Sequence, residues 1–197
     1  MLYIIGLLGI ICFVTPLVIV ISVVIFLLSG FPVIFSQKRV GVDGNIFTMY
    51  KFRTMRNGAE RQQKKLRTKN EAAAPAFKIR NDPRFTPIGR WLSHTGLDEL
   101  PQLFNVLIGD MALIGPRPLP VYEAEKLKPW QQKRHSIKPG IISPWILDGY
   151  HKKTFDEWMK SDLAYVQTKS FSGDIRIFAR SVKFMCYLFV RVMGEEG

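Results

Sequence analysis

The 197-residue chain predicts an α+β, mostly helical fold attached to a helix that resides in a membrane. Three observations carry that expectation. No Asp, Glu, Lys or Arg occurs from Met1 to Gly30, Pro32 to Met55 forms two strand-like runs around Asp43-Gly44, and proline and glycine cut the remainder into short helical pieces. Charge follows the same division. The 28 Lys and Arg against 16 Asp and Glu give +12, all of it carried by the residues after Gly30. This composition excludes intrinsic disorder, a collagenous or repeat array and a disulfide-rich secreted scaffold.

The first element, Leu2 to Leu28, is almost wholly aliphatic. As one helix it would reach about 40 Å, against about 30 Å for the hydrocarbon core of a bilayer. It has no basic start and no small-residue cleavage site, so it is not a signal peptide. Thr15-Pro16 falls in its middle, where proline removes a backbone donor and crowds the preceding turn. Two topologies remain open on these grounds: a kinked single span, and a helix–break–helix that enters and leaves by one face. Either way the following basic residues (Lys38, Arg39, Lys51, Arg53, Arg56) put the rest of the protein in the cytoplasm. The chain thus divides into a membrane segment, 1–30, and a cytoplasmic-face domain, 31–197.

Pro32 to Met55 is a β-hairpin by pattern, with Asp43-Gly44 as its tight turn. Gly58 to Glu71 is polar and helix-compatible. Lys51 to Lys69 holds eight basic residues and one acid, a solvated face that beside a membrane also attracts anionic headgroups. Turns at Asn81-Asp82-Pro83-Arg84 and Thr86-Pro87 precede a short helix, Ile88 to His94. A second helix, Pro101 to Ile108, is ended by Gly109. Gly115-Pro116-Arg117-Pro118 forms a rigid loop, Pro120 to Arg134 a helical stretch, and Lys153 to Thr168 another helix. The last helix, Asp174 to Met193, gathers Arg176, Arg180, Lys183 and Arg191 on one face. It is either an interfacial amphipathic helix or a packing helix of the domain. Cys12 and Cys186 suggest no disulfide, and His94, His135 and His151 have no ligand-like spacing.

The chemistry concentrates in Gly96-Leu97-Asp98-Glu99-Leu100-Pro101. Proline suits the first turn of a helix, so Asp98 and Glu99 could simply cap it and favour its dipole. The alternative is a reactive pair beside a phosphate. Lys78, Arg80, Arg84 and Arg90 precede the acids and Arg117 follows, fixed between two prolines in a geometry suited to a bidentate phosphate contact. A divalent ion, Mg²⁺, would bridge carboxylate and phosphate oxygens. With no Walker loop, no Rossmann glycine fingerprint and no Ser-centred triad in the sequence, these parts suggest phosphoryl transfer with Asp98 as covalent nucleophile.

At these residues the sequence resembles the monotopic phosphoglycosyl transferases, bacterial enzymes that start glycan assembly on polyprenol phosphate. The matching pieces are KFRTM (Lys51 to Met55), FKIRNDPRFTPIGRWL (Phe77 to Leu92), LDELPQLFNVLIGDM (Leu97 to Met111), IGPRP (Ile114 to Pro118) and KPGI (Lys138 to Ile141). Asp162 to Phe171 matches more weakly. The resemblance implies that Asp98 attacks the sugar-bearing phosphorus of a UDP-sugar, releasing UMP, and that polyprenol phosphate then takes the phosphosugar. Glu99 would assist as a base or, with Asp98, at Mg²⁺. It also implies a re-entrant membrane helix broken at Thr15-Pro16, a site on the cytoplasmic face of the bacterial inner membrane, and membrane lipids rather than nucleic acid as partners. Homo-oligomerisation is left open.

The sequence departs from the family's pattern at three places. It begins inside the apolar helix without a basic start, which suggests a short or truncated N-terminus. It has Ser93 where many members carry a basic residue. It continues after KPGI with Ile142-Ser143-Pro144-Trp145-Ile146 instead of Thr-Gly-x-Ala-Gln, which bears on substrate specificity. Two rival readings account for less. A non-catalytic basic module binding anionic lipid or nucleic acid leaves the Asp-Glu pair unexplained, and an inactive scaffolding relative would rest on the changes at Ser93 and after Ile141.

Overall fold

The computed structural model describes residues 2–71, 75–77, 79, 81–144 and 154–195. Helix α1 (Leu2–Ser29) carries the apolar segment, and its residues Gly9–Ser29 are long and apolar enough to cross a membrane. The expected interruption at Thr15-Pro16 is absent as a break: α1 stays helical through Pro16. The Thr15 hydroxyl donates to the Ile11 carbonyl at 2.7 Å, one turn back, while the carbonyl that Pro16 leaves without its helical donor is that of Cys12. At its other end Gly30 adopts a left-handed conformation (φ 71°) and stops the helix. Arg53 Nη2 donates to the carbonyls of Ser29 and Gly30 at 2.6 and 2.7 Å, where a cation also suits the dipole.

Strands β1 (Ile34–Val40) and β2 (Ile46–Phe52) pair antiparallel from Ile34 opposite Phe52 to Val40 opposite Ile46. The chain reverses through Val42–Gly44, where Asp43 and Gly44 both have positive φ, as that dipeptide favours. The alternation of β2 buries Met49 while its neighbours remain partly accessible. Helix α2 (Ala59–Gln63) is a shorter piece of the polar stretch than its composition suggests, followed by a 3₁₀ turn, Arg67–Lys69.

Helix α3 (Pro87–Thr95) begins with Thr86 accepting a bond from the Gly89 N–H, and ends at Gly96 with φ 75°. It lies so close to the chain after β2 that a Cβ on Gly89 would collide with the Thr54 carbonyl. A 3₁₀ turn, Leu97–Glu99, leads into α4 (Gln102–Leu107). Strands β3 (Ala112–Ile114) and β5 (Gly140–Ile142) pair in parallel, and β4 (Leu119–Pro120) adds to the free edge of β1.

The predicted helix Pro120 to Arg134 is instead two short helices, α5 (Val121–Ala124) and α6 (Pro129–Gln132), followed by a 3₁₀ turn, Lys133–Ser136. Pro129 is the cause: the residue before a proline is driven from the helical region, and Lys128 is extended at ψ 155°. Helix α7 (Phe155–Thr168) starts with a reciprocal capping box between Thr154 and Glu157. Helix α8 (Phe171–Glu195) packs on α3 and β3, as the packing alternative expects, while Ile175, Phe178, Val182 and Met185 stay exposed.

Three apolar clusters hold the body together. Leu119, Leu127, Phe155, Trp158 and Met159 bind α7 to the β4 region. Met49, Val106 and Met111 join β2, α4 and the start of β3, with Ile11 of α1 against them. Phe52 and Leu92 close on Ile21 and Ile25 of α1. Helix α1 therefore touches the body over a stretch of about 21 Å from Ile11 to Ile25, at 1.5 Å per residue. Its other side exposes Phe13, Leu17, Val20, Val23 and Leu27.

Candidate active site

The left-handed Gly96 decides the direction of the two acids. It starts the 3₁₀ turn that carries Asp98 and Glu99, and Leu100 and Pro101 separate that turn from α4. Neither carboxylate caps a helix: no side-chain cap bond forms at either N-terminus. The capping alternative is thereby removed. Both acids turn toward β2, where Lys51 Nζ lies 2.6 Å from Glu99 Oε1 and 3.8 Å from Asp98 Oδ2. Arg117 Nη1 reaches the same Glu99 oxygen at 3.4 Å.

This enclosure splits the titration of the pair. Burial pushes the Asp98 carboxyl up to about 6, with Glu99 adding to the effect and Lys51 and Arg117 opposing it. Burial acts the same way on Glu99, but Lys51 and Arg117 together outweigh it, and Glu99 is held below the ordinary carboxylate range. Adjacent acids in one turn thus have different characters. Glu99 is a fixed anion gripped by two cations, while Asp98 is more basic and less engaged.

Arg117 is presented by a loop secured from behind. The Pro116 carbonyl accepts from the Gly140 N–H at 3.0 Å, the Arg117 carbonyl from Arg134 Nη2 at 2.6 Å, and the Pro118 carbonyl from Arg39 Nη1 at 2.9 Å. Arg39 is buried, and that burial, with Arg117 nearby, lowers its pKa to about 10. Three consecutive carbonyls held in this way, between two prolines, leave only the guanidinium of Arg117 free to swing. Lys51, Glu99, Gln102 and Arg117 line one cleft with Met49 and Ile141.

The remaining cations predicted for phosphate are placed differently. Arg84 turns back on Asp82, Nε to Oδ1 at 2.9 Å and Nη2 to Oδ2 at 2.6 Å, with both residues buried. The structure does not bring it to Asp98. Arg90 is exposed on α3, and Lys78 and Arg80 lie outside the described residues. Of the altered segment after Ile141, Trp145 and Ile146 also lie outside them. Thr15 and Pro16 sit in α1, exposed. Lys51 and Gln102 are the cleft residues that pattern reading did not single out. KFRTM contains the first and LDELPQ the second, but neither motif states which side chain turns inward.

Oxygen donors from Asp98 and Glu99, completed by substrate phosphates, fit the preferences of Mg²⁺. Among the described residues no group of three or more His, Cys, Asp or Glu is gathered to bind a metal without such help.

A family model described as bacterial sugar transferase matches residues 1–187. Galactosyl transferase CpsE of Streptococcus agalactiae is 46% identical over 156 residues, 79% of this chain and 35% of its own length. The undecaprenyl-phosphate galactose phosphotransferase of Salmonella typhimurium is 38% identical over 159 residues, 79% of this chain and 33% of its own. The UDP-glucose:undecaprenyl-phosphate glucose-1-phosphate transferase of Xanthomonas campestris is 35% identical over 193 residues, 92% of this chain and 36% of its own. The chain thus spans about a third of the length of these relatives.

Proposed function

The chain belongs to the bacterial sugar transferase family, and on that premise we propose that it transfers a sugar-1-phosphate from a UDP-sugar to undecaprenyl phosphate. The observation that carries this reading is the uncapped Asp98-Glu99 pair on Lys51, with Glu99, Lys51 and Arg117 lining one cleft. An Asp98 oxygen attacks the phosphorus bearing the sugar. An O–P bond forms, the P–O bond to UMP breaks, and its electron pair leaves on UMP. An oxygen of undecaprenyl phosphate then attacks the same phosphorus, and the electron pair of the aspartyl–phosphorus bond returns to the carboxylate. Both steps add charge around one phosphoryl group, where cations fixed in advance act most strongly.

The side chains divide these tasks. Asp98, with its pKa near 6, is mostly ionised at neutral pH and is more nucleophilic than an ordinary aspartate. Glu99 holds Lys51 and Arg117 at the position of the incoming phosphates. Asp98 and Glu99 would hold Mg²⁺, which when bound neutralises phosphate oxygens.

The reaction belongs at the cytoplasmic face of the bacterial inner membrane, where a soluble nucleotide meets a lipid phosphate. A helix that left the body along the membrane normal could not lay both Ile11 and Ile25 on it. That contact supports a re-entrant α1 with both ends on the cytoplasmic side, bent no further at Pro16 than a helix allows. A cysteine added ahead of Leu2 should react only from that side, and labelling from the periplasm would sink the topology.

The chemical test is UMP release in detergent or nanodiscs, with UDP-glucose, UDP-galactose and their N-acetyl forms, in Mg²⁺ or chelator. We expect metal-dependent release with at least one sugar and a covalent phosphosugar adduct, both lost in Asp98→Asn. Wild-type turnover in that variant would overturn the mechanism.

A further inference from the structure

Gln102 opens α4, three residues after Glu99 and four after Asp98. It is 2% exposed and lines the cleft with Lys51, Glu99 and Arg117. Its neighbours in α4 illustrate the contrast. Asn105, equally enclosed, has its amide fully occupied, donating to the Thr48 carbonyl at 2.8 Å and accepting from the Tyr50 N–H at 3.1 Å. The Gln102 carboxamide makes no hydrogen bond with any described residue. Unlike the sealed-off and unpartnered Arg39 Nε and Ser143 Oγ, the Gln102 carboxamide borders the cleft, with donors and an acceptor to offer an entering group.

Lys51 and Arg117 already engage Glu99, so an arriving phosphoryl group finds two charged donors oriented by a carboxylate and one neutral donor with no prior engagement. A neutral amide can bond to a phosphoryl oxygen without adding charge to a site that already holds two cations and two acids.

We propose that Gln102 is a substrate-contacting residue whose carboxamide N–H donates to a non-bridging oxygen of the transferred phosphoryl group. This rests on the phosphosugar-transfer reading above. The phosphoryl group is present in both half-reactions, whereas the nucleotide takes part only in the first and the lipid only in the second. Gln102 therefore acts in both, whichever sugar is carried, and breaks no bond itself.

The test uses Gln102→Met, which keeps the bulk and removes the amide, and Gln102→Glu, which removes the donor and adds a negative charge. UMP release from UDP-glucose and UDP-galactose reads the first half-reaction. Discharge of preformed adduct by undecaprenyl phosphate reads the second. We expect Gln102→Met to lose about 10- to 100-fold in both, as for a hydrogen bond to a charged group, with its melting temperature unchanged. Gln102→Glu should lose more in both. Wild-type rates in both variants would overturn the assignment. A loss confined to UMP release would move the amide to the nucleotide, and a loss matched by a fall in melting temperature would make it structural. If the wild-type protein forms adduct and discharges it, the transfer reading stands whatever these variants do. If it releases no UMP from any sugar, that reading and this assignment fall together.

Discussion

Arg134 Nη2 donates to the carbonyl oxygen of Arg117 at 2.6 Å, and the same guanidinium grips Asp162 Oδ2 through Nε at 2.9 Å and Nη2 at 2.6 Å. Helix α7, far along the sequence from the acids, thus supports the backbone from which Arg117 extends. The pair is 2% and 1% exposed, and Arg134 also lies over the Trp158 ring. A charge pair so enclosed contributes little compared with an apolar equivalent, but the loss of one partner strands the other.

Asp162→Asn should therefore destabilise the protein by about 3–5 kcal/mol, since it leaves the Arg134 charge buried without its counterion. A thermal melt in detergent reads this directly. A melt that coincides with wild type would show that Arg134 has another anchor.

Lys51→Met should reduce UMP release by about 10²- to 10³-fold, the scale of losing one preorganised charged donor at a reacting centre. Lys51→Arg should restore only part of it, because a planar fork cannot occupy the point between Asp98 and Glu99 that an ammonium takes. Full activity in Lys51→Met would remove this lysine from the machinery.

The turn residues were the legible part of the sequence. Asp43-Gly44, Gly96, Pro101 and the proline-flanked Arg117 mark their own conformations, because glycine and proline restrict the backbone wherever they stand. The Asp98-Glu99 pair stood out because two acids before Leu-Pro are conspicuous. Partnership was less legible. Lys51 stands 48 residues from Glu99, and strand alternation gives a face without naming what crosses it. Arg84 counted as one more cation for phosphate, yet Asp82 two residues earlier satisfies it in a local fold-back that charge counting does not reveal. Asp98 suited a cap only while α4 was assumed to start directly after it. The intervening 3₁₀ turn depends on how Gly96 ends α3, which is a tertiary outcome.

Arg84→Met offers a clean separation of those two roles. Both partners are buried, and Arg84 also donates to the Ala59 carbonyl at 3.2 Å. The variant strands Asp82 and should lose about 3 kcal/mol or more of stability, with KM for the UDP-sugar unchanged in the folded fraction. A raised KM at unchanged melting temperature would return Arg84 to the phosphate site.

His135 should give the protein a weakness to mild acid. Its Nε2 is buried without a hydrogen-bond partner, and burial, reinforced by Arg134, lowers its pKa from 6.5 to about 4. The unfolded chain then binds the proton more readily than the folded one between those two values. The stability tied to neutral His135 is complete above pH 6.5, falls as pH is lowered through that window, and is fully lost below about 4. The melting temperature of wild type should accordingly drop more steeply between pH 7 and 5 than that of His135→Phe, which has nothing to protonate there. Parallel curves for the two proteins would mean that the imidazole finds a proton acceptor or solvent in the folded state.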